Sequence, residues 1–384
     1  MITPALDAAT LEKLISAAVA APSIHNSQPW RFRLTPEAAA VEVRAARERA
    51  LPAVDPEGRA LYISVGAAVL NLRIAARALG WAPRVRLLPD PGEPDLLATV
   101  VLDQPAGATP AVSPELQDAI WRRHSLREPF TDQVVPNTVL AELAEAARGE
   151  QAWLDFPDSG ERHRLLELTA EAERRSVTDP ARRAESRSWI QGPGGGSYGI
   201  PPEALGPQDA AGRIPMRDYS GLRPAEHQAP ATFEADPCLA VLSTLGDHPA
   251  DWLRAGLALE NVLLHATVHG VRATMLHQAL EWSALRWEAR DPERGPGVVQ
   301  MLLRLGYGPE GARTPRLAVS EVLDADGATD GARDVGHVTA PDRDHPGGRA
   351  DGRTADGGRR TGGRVDGWTG GQVAERPVAR LSPW

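Results

Sequence analysis

Apolar residues recur at helical spacing over residues 10–21, where Leu11, Leu14, Ile15 and Ala18 share one face and Thr10 is placed to cap it. Residues 30–34 and 40–44 alternate as two strands of a hairpin, and a long apolar helix over 65–80 closes at Gly80. Strands over 84–88 and 98–102 follow. The pattern then begins again: Leu140, Leu143, Ala146 and Ala147 repeat the spacing of Leu11, Leu14, Ala17 and Ala18. Further on, Gly66, Ala68, Asn71, Ala76 and Gly80 recur at identical spacing as Gly256, Ala258, Asn261, Ala266 and Gly270. Each copy follows a leucine-alanine helix and precedes a strand, which reads as an internal duplication with halves at about 1–110 and 111–324.

Two segments break this pattern. Residues 175–235 are rich in Gly, Pro and polar side chains and contain the run Gly194 to Gly196. A loop of that length inside a compact half is expected to be a lid or disordered. Residues 325–384 are rich in Gly, Asp, Arg and Thr, repeat Gly-Gly-Arg-x-Asp-Gly at 347 and 362, and hold little to bury. They are expected to form a disordered tail.

Composition narrows the function. A net charge of −9 argues against a general nucleic-acid binder. No uninterrupted apolar run has membrane-spanning length, and residues 1–13 lack the basic start of a signal peptide. The one cysteine, Cys238, offers no disulfide and reads as a small core residue, consistent with a cytoplasmic protein. The only lysine is Lys13, so Schiff-base chemistry has almost no candidate and any phosphate must be held by arginine. His265 and His269 stand at i and i+4, but residue 266 is Ala, so the zinc-protease spacing fails and no metal is expected.

Three motifs can carry chemistry. Residues 21–30, Ala-Pro-Ser-Ile-His-Asn-Ser-Gln-Pro-Trp, lie between a helix and a strand. The amides of Asn26 and Gln28 can meet the carbonyls and ring nitrogens of a planar heterocycle, or can satisfy the backbone of a helix-stop turn. Residues 122–130, Arg-Arg-His-Ser-Leu-Arg-Glu-Pro-Phe, can wrap a phosphate or form a solvated basic patch. Arg304 to Gly308, followed by Thr314-Pro315-Arg316, ends a strand and can bring one more arginine to the same anion.

Together these motifs resemble the nitroreductase-like FMN oxidoreductases, most closely the actinobacterial Acg-like branch. Pro22, Ser23, Asn26, Gln28, Pro29 and Trp30, with Ile24 between them, match the family motif that contacts the flavin ring. Arg123, His124, Ser125 and Arg127 match the motif that grips the FMN phosphate and ribityl chain, and Arg316 matches a basic position near the C-terminal strand. Glu281 stands where the family often has a glutamate beside the flavin. The resemblance covers residues 1 to about 324. It implies an α+β, nitroreductase-like fold: a fused pseudo-dimer of two α/β halves with antiparallel-rich sheets.

The ring motif occurs only in the first half and the phosphate motif only in the second. At the matching place the second half reads Ala-Arg-Gly-Glu-Gln-Ala-Trp over 147–153. One complete site is therefore expected per chain, and a monomer. The resemblance implies one FMN, reduced by NAD(P)H and reoxidised by a nitro compound or quinone, with no catalytic side chain and no metal. It also leaves a second reading, a non-catalytic FMN store whose flavin is covered by the insertion at 175–235.

Overall fold

The hairpin expected from the first alternating pattern forms. β1 (Trp30–Thr35) pairs antiparallel with β2 (Ala40–Ala45), Trp30 opposite Ala45, and this register turns Trp30, Phe32, Val41 and Val43 into the core. The protein is seen here in a computed structural model that describes residues 6–35, 38–104, 112–192, 195–219, 229–290 and 297–324. Residues 1–330 form one compact unit. The tail expected at 325–384 lies outside the described residues, as does Gly194 of the glycine run.

Before β1 stands α1 (Ala8–Val19). Its cap is Asp7, whose Oδ1 accepts from the Thr10 amide at 2.8 Å, so Thr10 lies inside the helix that it was expected to cap. α2 (Arg59–Ala78) starts six residues before the expected position, because the Asp55 carboxylate takes the amides of Ala60 and Leu61 at 3.0 and 2.9 Å. It is long and apolar enough to cross a membrane, but 89% of that window is buried within the fold, as in a core helix. β3 (Ala82–Leu87) and β4 (Leu96–Asp103) complete a four-stranded antiparallel sheet in the order β1-β2-β4-β3.

The second half repeats this layout. After α3 (Pro114–Arg122) and α4 (Asn137–Arg148) come β5 (Trp153–Asp155), then α5 (Ser159–Thr178), α6 (Pro180–Ser188) and the short β6 (Gln208–Asp209) and β7 (Pro230–Ala231). β8 (Cys238–Thr244), α7 (Pro249–Val268), β9 (Arg272–Met275), α8 (Ser283–Glu288) and β10 (Val298–Gly306) follow. The second sheet is antiparallel in the order β5-β8-β10-β9, the first order with each strand replaced by its counterpart. α2 and α7 occupy the same place in their halves, and each ends at a glycine with positive φ, Gly80 at +90° and Gly270 at +71°.

These two helices cross where the repeated glycines meet. A methyl group on Gly66 would sit 2.2 Å from the Leu253 carbonyl oxygen, and one on Gly256 2.1 Å from that of Ile63. Two small residues let the backbones touch, and this crossing joins the halves. The halves also exchange segments. Ala119 and Ile120 of α3, with Leu317 and with Val322 of α9 (Val319–Val322), are buried in the core around α1 and α2, and Leu323 bridges to Phe32.

The insertion at 175–235 is not a structureless loop. α5 and α6 run through its first part, and Ile214, Met216 and Phe233 join Leu165, Leu239 and Leu302 in a cluster of their own. The two helices escaped the sequence reading because charged positions are frequent in α5 and α6, so helical periodicity is faint there.

Candidate functional site

Between the halves lies a cleft with roughly 800 Å³ of space between atoms. Pro22, Ser23, Ile24 and His25 line it from the first motif, Ser125 and Arg127 from the second, and Met216, Arg217 and Tyr219 from the insertion. The rest of the wall is Arg59, Ala60, Ile63 and Ser64 of α2, Leu259 of α7, Met301 of β10, and residues 274–278 at and just beyond the end of β9. Apolar walls with a few convergent polar groups suit a planar organic ligand.

A second cleft holds Arg123, His124, Arg313 and Arg316, with Thr314 beside them. Residues 123–127 run from one cleft to the other, held beside β9 by the Leu126 amide, which donates to the Ala273 carbonyl at 3.0 Å. Arg123 and Arg316 both donate to the Ala20 carbonyl, at 3.1 and 3.2 Å. Arg123 is buried and Arg316 half-buried, and neither Nε has a hydrogen-bond partner among the described residues. Burial, then the neighbouring Arg123, pulls Arg316 down to about 9. The nearest carboxylate, Glu260 on α7, lies 3.4 Å from Arg123 and is fully buried. Burial raises it to about 7 against the pull of Arg123. His124 is held by the Arg122 carbonyl at 3.0 Å and accepts from the Gly311 amide at 3.2 Å.

Asn26 and Gln28 face neither cleft. Asn26 donates to the carbonyls of Gly199 and Pro315, at 2.9 and 3.0 Å, and accepts from Arg316 at 2.9 Å. Gln28 donates to the Ser197 carbonyl at 2.8 Å and accepts from the Leu317 amide at 2.9 Å. Their amides tie the first motif to the insertion and to the Arg316 segment. His25, Asn26 and Gln28 have φ near +50°, a left-handed conformation costly for side-chain-bearing residues, which these bonds hold in place.

Glu281 also lies behind the wall. Its buried carboxylate pairs with Arg217, with Arg182 at 3.5 Å and with His277 at 3.2 Å. Burial raises it to about 7 against the pull of Arg217. Arg217 itself stays charged, since Glu281 and Glu173 outweigh its own burial. Burial, then Arg217, drives His25 and His277 well below the usual histidine range, so both rings at the cleft are neutral.

Arg304 is not at the site. It is fully buried between Phe130 and Phe233, pairs with Glu234 at 3.0 Å and donates to the Glu128 carbonyl at 2.7 Å. Of the third motif only the Thr314 to Arg316 part reaches a cleft. His269 bonds Glu142 at 2.7 Å, and no group of metal ligands occurs among the described residues. The sequence reading missed Arg59 and Arg217. Arg59 opens a helix that was expected to begin later, and Arg217 sits in the segment read as a loop.

No protein-family model matches the chain. A Mycobacterium tuberculosis H37Rv protein named putative NAD(P)H nitroreductase Rv3131 is 33% identical over 329 residues, 83% of this chain and 92% of that protein. The H37Rv protein named Acg, under the same nitroreductase description, is 29% identical over 318 residues, 82% of this chain and 95% of its own. Among solved structures, an FMN- and NADPH-dependent nitroreductase from sphigopyxis sp. strain HMH is 20% identical, with a TM-score of 0.35 over 56% of this chain and all of that one. By its relation to the mycobacterial proteins, this chain belongs to the nitroreductase family.

Proposed function

We propose that this chain is an FMN-dependent NAD(P)H oxidoreductase that binds one FMN between its halves and reduces small electron-poor acceptors such as nitro compounds or quinones. The observation that carries this reading is the path of residues 123–127. It links a buried and a half-buried guanidinium, together suited to a phosphate, to an apolar cleft suited to a flat ring. The residues fit FMN. Arg123 and Arg316 stand side by side with Glu260 as their nearest carboxylate, and a phosphate supplies the missing negative charge. Ile24, Ile63, Leu259 and Met301 offer apolar surface to the ring, and Ser125 and Arg127 line the same cleft.

FMN, when bound, would supply the redox chemistry, hydride acceptance from NAD(P)H and electron donation to the acceptor. The protein's part is position and charge. Arg123, His124 and Arg316 anchor the phosphate, and Arg127 places a cation at the ring to stabilise negative charge on it. His25 and His277, both neutral, add no charge to the wall. With the redox chemistry supplied by the flavin, no side-chain nucleophile would be needed.

A second reading, a flavin store, is favoured by the way the insertion is fastened. Met216, Arg217 and Tyr219 wall the cleft, Arg217 pairs with the buried Glu281, and the Glu185 carboxylate takes the amides of Ala53 and Val54 at 3.1 and 2.7 Å. One preparation tests both readings. The purified protein is expected to be yellow, with about one FMN per chain, and NADPH is expected to bleach it within a turnover time. About two FMN per chain, or none, contradicts the single site. Bleaching by dithionite but not by NADPH selects the store.

A further inference from the structure

The central cleft carries a cation that no side chain neutralises. Arg59, the first residue of α2, is 3% exposed and lines the cleft. Its Nη1 donates to the Gln300 carbonyl at 2.7 Å and to the Gln300 side-chain oxygen at 3.0 Å. Its Nε and Nη2 have no hydrogen-bond partner among the described residues. The carboxylates that act on it are each engaged elsewhere. Asp55 takes the amides of Ala60 and Leu61, Asp247 binds the Trp252 indole at 2.6 Å and Arg286 at 3.3 Å, and Glu281 binds Arg217 and Arg182. Arg286 is a further cation nearby. Among the described residues no carboxylate belongs to the lining of the cleft, which also holds Arg127 and Arg217. A buried guanidinium without an ion-pair partner is costly, and Nε with Nη2 is the edge that grips a carboxylate by two parallel bonds.

We propose that Arg59 is a specificity residue, and that the acceptors taken at this cleft are planar molecules bearing a carboxylate, which docks on the Nε–Nη2 edge. The ligand's two oxygens supply the charge that Asp55, Asp247 and Glu281 do not. The inference rests on the flavin-oxidoreductase reading for the acceptor's redox chemistry, and on Arg59 alone for its charge.

The test compares 4-nitrobenzoate with the neutral 4-nitrobenzamide, which has nearly the same shape. Binding to the oxidised, FMN-loaded protein is followed by calorimetry and by the perturbed flavin spectrum. Nitrobenzoate is expected to bind at least about tenfold more tightly, as one charge-assisted pair supplies. Arg59→Gln should abolish this preference when the proteins are compared at equal FMN loading, and Arg59→Lys should keep part of it. Equal binding of the two probes by the unaltered protein overturns the proposal and needs no variant. So does a preference that survives in Arg59→Gln. If the protein carries no FMN, the oxidoreductase reading fails by itself, and the same calorimetric comparison on the flavin-free protein still decides whether Arg59 selects a carboxylate.

Discussion

Asn26 and Gln28 show how a residue type that suits a ligand can serve the scaffold that frames it. Their amides hold a left-handed turn against the insertion and the Arg316 segment, and the turn in turn presents Ser23, Ile24 and His25 to the cleft. The split between clefts gives the basic residues separable roles. Arg316→Gln should weaken FMN binding by about ten- to a hundredfold, the worth of one or two charged hydrogen bonds, and leave riboflavin, which lacks the phosphate, nearly unaffected. Arg127 lines the central cleft within 5.8 Å of the Tyr219 ring, so Arg127→Ala should weaken both ligands. Fluorescence titrations with the two flavins decide this, and equal losses in Arg316→Gln would refute the phosphate role. Glu260 gives a pH signature. Its folded pKa is raised from 4.5 to about 7 by burial, so the folded state holds its proton more tightly than the unfolded chain. Its contribution to stability is full below about 4.5 and is lost as pH rises through about 7, on the order of 3 kcal/mol across that window. Glu260→Gln should flatten the fall in melting temperature between pH 5 and 7.5, and an unchanged slope would mean that Glu260 is not buried as described.

At the scale of elements, the crossing of α2 and α7 sets the geometry of everything around it. The central cleft takes Ile63 and Ser64 from one helix and Leu259 from the other, close to Gly66 and Gly256. The two glycine positions of α2 should respond differently to the same substitution. Gly66→Ala places a methyl 2.2 Å from a backbone oxygen that cannot move without parting the helices, so a loss of several kcal/mol, or failure to fold, is expected. Gly80→Ala meets nothing within 4 Å and suffers only the left-handed strain, about 1 kcal/mol. Thermal unfolding of the pair checks the contrast, and equal small losses would mean that the helices do not touch there. Elements of this kind were legible in the sequence, because repeated glycines and apolar spacing are local signals. The hairpin strands over 30–34 and 40–44 stood within a residue of their observed ends for the same reason. What stayed hidden depended on distant partners: the early start of α2 on Asp55, the helices α5 and α6, and the burial of Arg304 against Glu234. The motifs at 22–28 and 123–127 named the segments around the clefts, but not which side chains would face them.

At the scale of the molecule, the matching sheets and the paired glycine helices put inside one chain a contact that two half-length copies would otherwise make between subunits. The exchange of α3 and of residues 317–323 onto the core of the first half strengthens that contact, since neither half closes its core without the other. An interface of this kind commonly exceeds ~2,000 Å² in a permanent dimer. Once it is internal, no second copy is required to complete a site built from residues 22–25 and 123–127 of a single chain. The protein is therefore expected to be a monomer. Light scattering coupled to size exclusion should give about the chain mass of 41.1 kDa at low micromolar concentration, with FMN retained on dilution. A strict dimer that loses FMN as it dissociates would mean that a second chain completes the site, and the single-chain assembly of the two clefts would have to be given up.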